Sequence, residues 1–335
     1  MSEKLKAAVV GCGGIGNWHF SRVKDYEDIE YVGFFDIIKS KAEKMAAAAG
    51  AGKAFDCYLS MLDESKPDIL YVCVPPDQHG TIELEAIKRG IHLMIQKPIA
   101  TETAIAEKIC DMATQHNIII SVGHQDRYLD IVDPMKEYLK DRQIGLINGA
   151  WVGGIPMVYW WIRRSTSGGQ IIEQNIHLYD LLRYLNGEPM SVYATGGKGI
   201  VDPNALPLRG YDVEDYTAAN VVFKNGSIAN IFTGCYLTEG GGMKLGLTFY
   251  AKDATVDYVL RNKVSFTDKT GTKEIKTELD QGVALDRVFI EAVKSSKPED
   301  IQKIRSPYAD SIKSLKFGLA ANKSIDTGKA VHLNL

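Results

Sequence analysis

At 335 residues the chain is long enough for about two domains of roughly 150 residues each. Hydrophobic residues make up 45% and charged residues 24%, which excludes wholesale disorder. A net charge of −3 argues against a chain built to bind polyanions such as nucleic acid.

Residues 1–6 carry charges with no long apolar stretch after them, unlike a signal peptide. Residues 5–10 form a short apolar run ended by glycines and predict a buried parallel strand. A helix is predicted over 14–25, a strand over 29–35 and an alanine-rich helix over 39–49, closed by Gly50. Strands follow at 69–74, 91–95 and 118–122, with helices over 78–89 and 103–116 between and after them. Alternation at this pitch implies a doubly wound parallel sheet, and residues 1–123 are expected to form the domain that holds it.

Beyond Gly123 the rhythm changes. Helices are predicted at 131–140 and 172–185. Extended segments follow at 191–195, 216–223, 227–236, 244–250, 254–259, 263–267 and 272–276. Asn225-Gly226 lies between two of them and signals a hairpin. Helices at 285–294 and 308–327 close the chain. Residues 124–335 are therefore expected to form an α+β domain with a large, open, mostly antiparallel sheet. The closing helix is a candidate to pack back on the first domain. The longest apolar runs are strand-sized and too short to cross a membrane. Five scattered cysteines with no Cys-x-x-Cys pair suit thiols in a reducing compartment, so the expected location is cytoplasmic.

Gly11-Cys12-Gly13-Gly14-Ile15-Gly16 satisfies G-x-G-x-x-G between a predicted strand and a predicted helix. Gly11 permits a tight turn, Gly13 lets the backbone approach a pyrophosphate, and Gly16 allows close helix–strand packing. The helix N-terminus, with Gly14 and Ile15 in its first turn, offers free N–H groups to the phosphates. Asp36 ends the second strand at the spacing of about 20 residues expected for a ribose-binding carboxylate. It favours NAD, because a 2′-phosphate would be repelled.

Three further segments follow in order: Val74-Pro75-Pro76-Asp77-Gln78-His79, Gln96-Lys97-Pro98, and Gly168-Gly169 through Glu173, Asn175 and His177. Together with the glycine loop they resemble the Gfo/Idh/MocA family, which includes glucose–fructose oxidoreductase and inositol dehydrogenase. The resemblance implies a Rossmann domain followed by an open-sheet domain that commonly forms the oligomer interface, so a homodimer or homotetramer is expected. It implies hydride transfer between a nicotinamide cofactor and a hydroxyl of a sugar, cyclitol or derivative, with no metal. It places Lys97 beside the nicotinamide, makes His177 the acid/base, sets Glu173 in the position of a supporting Asp, and has Pro75 and Pro76 shape the nicotinamide pocket. The family's usual Glu-Lys-Pro is here Gln96-Lys97-Pro98, its Asp is Glu173, and its usual Gly is Asn175.

The residues support the same chemistry. Neutral imidazole is the natural base near neutral pH, and Glu173 stands four residues before His177, one turn apart on the predicted helix. The Lys97 ammonium suits a developing alkoxide. Gln96 can bond a ribose hydroxyl, and His79 stands at the pocket rim, as does His19. Trp161, Arg163 and Arg164 precede the Gly-Gly pair, and Arg127 follows the last strand of the first sheet. Aromatic faces stack on sugars and arginine forks bind anions, so these residues and Asn175 are substrate-binding candidates. Each also has a plainer reading: a solvated turn lysine, a structural histidine, an aromatic core cluster or surface arginines. The arginines keep open a nucleotide-sugar, uronic-acid or glycoside substrate with tightly held NAD. Gln96 and Glu173 keep open a catalytically silent NAD-binding regulator.

Overall fold

A computed structural model of the chain describes residues 4–237 and 244–335. The first three residues, part of the charged start noted above, lie outside it. The chain divides into two compact units. One holds the residues up to Tyr128 together with Asp280–Ile312; the other holds Leu129–Leu279 and Lys313–Leu335.

The first unit contains a six-stranded sheet: β1 (Leu5–Val10), β2 (Ile29–Phe35), β3 (Lys53–Phe55), β4 (Ile69–Val72), β5 (His92–Ile95) and β6 (Ile120–Val122). The order is β3-β2-β1-β4-β5-β6 and every pairing is parallel, the dinucleotide-binding order. β4 is buried at every position, as a strand covered on both faces must be. The three-residue β3 and the helix Tyr58–Ser65 were not legible, because each is too short to establish a period.

A division of the chain at residue 123 leaves 280–312 in the second domain, and the structure corrects this. Helix Gln281–Ser295 starts at an Asp280 cap whose carboxylate accepts from the Gly282 and Val283 amides. Its apolar stripe of Leu285, Phe289, Ile290 and Val293 joins Phe20, Val23, Tyr31 and Phe34 in the core of the first unit. Burial of that stripe, which sequence distance does not reveal, returns the segment to the Rossmann unit.

Asp28 fastens this helix. It accepts from Arg287 Nη1 at 3.1 Å, from Arg287 Nη2 at 3.0 Å and from Lys294 Nζ at 2.8 Å. Burial raises its pKa, but the hydrogen bonds and charges of Arg287 and Lys294 outweigh burial and hold it at about 2. A depressed carboxylate stabilises the fold above its unfolded pKa of about 4 and loses that contribution as pH falls toward the folded value. Asp28→Asn is therefore expected to cost about 1–2 kcal/mol at neutral pH. In thermal unfolding of both proteins against pH, the gap should narrow steadily below about pH 4.

The second unit carries β7 (Ile144–Val152), β8 (Pro189–Gly197), β9 (Tyr216–Phe223), β10 (Ile228–Gly234), β11 (Lys244–Ala251), β12 (Ala254–Val259), β13 (Lys263–Asp268), β14 (Gly271–Lys276) and β15 (Val331–His332). They form one sheet in the order β14-β13-β12-β11-β7-β10-β9-β8-β15, antiparallel except for the β7–β10 pair. Helices Val132–Leu139 and Ile176–Asn186 contribute Val132, Met135, Leu178, Leu181 and Leu182 to the core, against Ile147, Val221, Ile231 and Phe249 from the sheet. Strand alternation turns Leu146, Ile228, Phe232, Tyr250 and Tyr216 to the other face, where all five are exposed. β7 was not foreseen, since two glycines and an asparagine interrupt its apolar run.

Candidate active site

The glycine turn follows β1. Gly11 has φ +90°, and a Cβ there would lie 2.2 Å from the Cys73 carbonyl oxygen. A Cβ on Gly16 would lie 2.0 Å from the Gly11 carbonyl oxygen. These two glycines are required by the protein's own packing. Gly13 and Gly14 are different, because a Cβ at either would meet nothing within 4 Å. Their backbone faces open space at the start of helix Gly14–Val23, the cradle a pyrophosphate needs. Ile15 packs on the unit's core. The Cys12 thiol is raised to about 12 by burial and by the charge of Asp36, so it is no nucleophile.

Asp36 stands at the end of β2. One carboxylate oxygen accepts from the Cys12 amide at 2.9 Å and the other from the Ile38 amide at 2.8 Å. Two backbone donors thus fix the group beside the glycine turn, and each oxygen keeps a lone pair for a ribose hydroxyl.

At the end of β4, Pro75 precedes a short turn of 3-10 helix, Pro76–Gln78. His79 is buried rather than at a rim, and its Nδ1 meets Glu83 at 2.5 Å. Its Nε2 is buried with no hydrogen-bond partner among the described residues. An orphaned imidazole nitrogen in this loop fits a polar cofactor group as its missing partner.

Gln96 and Lys97 follow β5. The Gln96 side chain is buried and its amide nitrogen bonds His19 Nε2, while its oxygen accepts from the Lys97 amide at 3.3 Å. His19, expected at a pocket rim, is 1% exposed. Arg127, a substrate candidate, is also corrected. It is buried and donates to the Arg305 carbonyl at 2.6 Å and to the half-buried Asp310 at 2.7 Å, so its guanidinium is engaged inside the unit.

In the second unit, the single helix predicted over 172–185 is two helices, Gln170–Glu173 and Ile176–Asn186. The break falls at Asn175, whose side chain is buried and donates to Thr233 of β10, while its Oδ1 has no partner among the described residues. Its amide reaches back five residues, to the Gln170 carbonyl. Glu173 and His177 are therefore not one turn apart on a continuous helix. The Glu173 carboxylate accepts from the indole N–H of Trp161. Trp161 is 1% exposed and clusters with Ile162, Val213 and Cys235, so protein packing covers its ring and leaves no face to stack on a sugar. Arg164 pairs with Glu214 at 3.1 Å and Asp326 at 2.8 Å. Arg163 is exposed.

His177 is buried and stacks on Trp151 of β7, with ring centroids 5.7 Å apart and planes inclined by 15°. Arg261 Nη2 lies 3.4 Å from its Nε2. A guanidinium only donates, so this contact engages the single lone pair of Nε2. Sequence reasoning missed both neighbours: Trp151 sits on the unforeseen β7, and Arg261 lies in the β12–β13 turn at φ +54°. Only strand order brings them to His177. Among the described residues, no three His, Cys, Asp or Glu side chains group to hold a metal ion.

Both parts of the chain have counterparts among known proteins. Residues 5–124 match the model of the oxidoreductase family with an NAD-binding Rossmann fold, and residues 136–256 match that family's C-terminal domain. A myo-inositol 2-dehydrogenase of Thermotoga maritima is 23% identical over 340 residues, covering 98% of each chain. A D-glucoside 3-dehydrogenase of Escherichia coli is 27% identical over 244 residues, 68% of this chain and 69% of its own. A solved levoglucosan dehydrogenase, in complex with NADH and levoglucosan, superposes with a TM-score of 0.84 at 16% identity, over 99% of this chain and 100% of its own.

Proposed function

We propose that this chain, a member of the Gfo/Idh/MocA family of oxidoreductases, oxidises a ring hydroxyl of a sugar or cyclitol with NAD. The observation that carries the reading is the open cradle at Gly13 and Gly14 beside an Asp36 carboxylate held by two backbone amides. Bound NAD supplies the hydride acceptor. The substrate's carbinol C–H electron pair leaves as hydride, the C–O bond becomes a carbonyl, and the hydroxyl proton passes to His177 Nε2 once the substrate hydroxyl takes the place of Arg261 on its one lone pair. The Lys97 ammonium stabilises the developing alkoxide. Glu173, held by Trp161, binds a substrate hydroxyl.

Two of the three arginines that suggested an anionic substrate, Arg127 and Arg164, pair with carboxylates of their own units. A neutral polyol therefore ranks ahead of a uronic acid or nucleotide sugar. The exposed apolar face with Leu146, Phe232 and Tyr250 supports a homo-oligomer built by a second copy of the sheet. No helix among the described residues is long and apolar enough to cross a membrane. The free thiols of all five cysteines are the chemistry of a reducing compartment and support a cytoplasmic location.

Incubation with NAD and a panel of polyols, followed by the absorbance of reduced nicotinamide, tests the reading. Turnover with at least one neutral sugar or cyclitol is expected; NAD binding with no turnover on any of them overturns it in favour of a silent regulator. Coenzyme choice has its own test. Asp36→Ala is expected to weaken NAD by about 1–3 kcal/mol, the range for a lost hydrogen bond to a charged group. It should also narrow the preference over NADP, read as the ratio of the two Kd values by calorimetry.

A further inference from the structure

Asp286, His19 and Gln96 lie far apart in sequence and meet inside the first unit. His19 Nδ1 stands 2.8 and 2.9 Å from the two carboxylate oxygens of Asp286, and His19 Nε2 meets the Gln96 amide. All three side chains are buried, Asp286 completely. A carboxylate held so deep is tolerated only with a donor, so Nδ1 carries the proton and Nε2 accepts from the Gln96 amide. Gln96 in turn accepts from the Lys97 backbone N–H. Its other side is closed by Gly123, where a Cβ would lie 2.4–2.5 Å from the amide atoms.

Ionisable groups surround Asp286. The Arg22–Asp280 pair, the Tyr26, Tyr31 and Tyr71 hydroxyls and the Cys73 thiol all feel Asp286 or act on it. The Tyr71 ring lies 5.3 Å from His19. Burial raises the Asp286 pKa and the contact with His19 opposes that rise.

We propose that Asp286 and His19 are positioning residues, which act through Gln96 to fix the Lys97 turn relative to the helix that follows the glycine loop. The relay rests on the oxidoreductase reading only for its kinetic consequence. With glutamine at position 96 the three side chains need a single carboxylate. Gln96→Glu places two carboxylates on one imidazole, which must take up a second proton to donate to both, and Asp286→Asn leaves none. The double variant restores one carboxylate at the opposite end, with the imidazole tautomer reversed.

Each single variant is expected to lower kcat about tenfold or more while the KM for NAD changes less than about threefold, and the double variant to recover most of the loss. In the chain without cofactor, hydrogen–deuterium exchange of the segment 93–100 should quicken in each single variant and return toward wild type in the double. Losses that simply add in the double variant, or exchange unchanged in the single variants, overturn the relay. The exchange measurement needs no turnover, so a chain that fails to oxidise any polyol still tests the relay and refutes only the enzymatic reading.

Discussion

Replacing His177 with asparagine is expected to lower kcat by about 10²–10⁴-fold, the usual contribution of a positioned general base. The ring is enclosed by Trp151 and approached by Arg261 at 3.4 Å. The Nε2 lone pair faces that guanidinium, so a substrate hydroxyl reaches the base by displacing Arg261. Asparagine keeps polarity and part of the volume but has no basic nitrogen. The loss should therefore fall on kcat, with NAD affinity unchanged, since no part of the glycine turn is touched. Kinetics with the best substrate from a polyol panel, with calorimetric NAD binding alongside, give the comparison. A drop below threefold would assign proton removal to another residue.

Gly16→Ala is expected to destabilise the first unit by about 3 kcal/mol or more, at the upper end of overpacking effects. The added carbon would lie 2.0 Å from the Gly11 carbonyl oxygen. That atom belongs to the backbone and cannot swing away like a flexible side chain. Helix Gly14–Val23 must then move off β1, and NAD affinity should fall with stability. Gly13→Ala separates the two effects. Its φ of −79° suits any residue and its Cβ would meet no protein atom within 4 Å. This variant should unfold like the wild type while binding NAD at least about tenfold more weakly, an effect of about 1.4 kcal/mol. Denaturant melts and calorimetry on the pair show whether the two glycines divide packing from binding in this way.

The first unit was legible because its information is local. An apolar run, a glycine turn, a helix and a strand-ending Asp36 lie within 36 residues of the start, and each has its own pattern. The second unit's outline was legible from alternation and from Asn225-Gly226, but its central strand β7 was not. Glycine and asparagine there weaken the β signal, and pairing with β10 and β11 supplies what local preference lacks. Candidate site residues stand out in the sequence where each sits in a motif, as Lys97 and His177 do. Trp151, Arg261 and Asp286 carry no local mark, and only strand order and helix packing bring them to His177 and His19. The arginines show the converse. Arg127 and Arg164 read as anion binders in sequence, yet Asp310, Glu214 and Asp326 hold them. Their partners lie 50 or more positions away in every case, beyond the reach of any local pattern.

The central claim is that the glycine turn and Asp36 hold NAD. Its most direct test is to purify the chain without added cofactor, denature it, and identify the released small molecules by mass spectrometry, titrating the chain with NAD and NADP if nothing is released. Released NAD or NADH, or an empty chain that binds NAD at least about tenfold more tightly than NADP, is the expected result for a carboxylate facing the ribose. Released NADP, or a chain that takes up neither coenzyme, would contradict it.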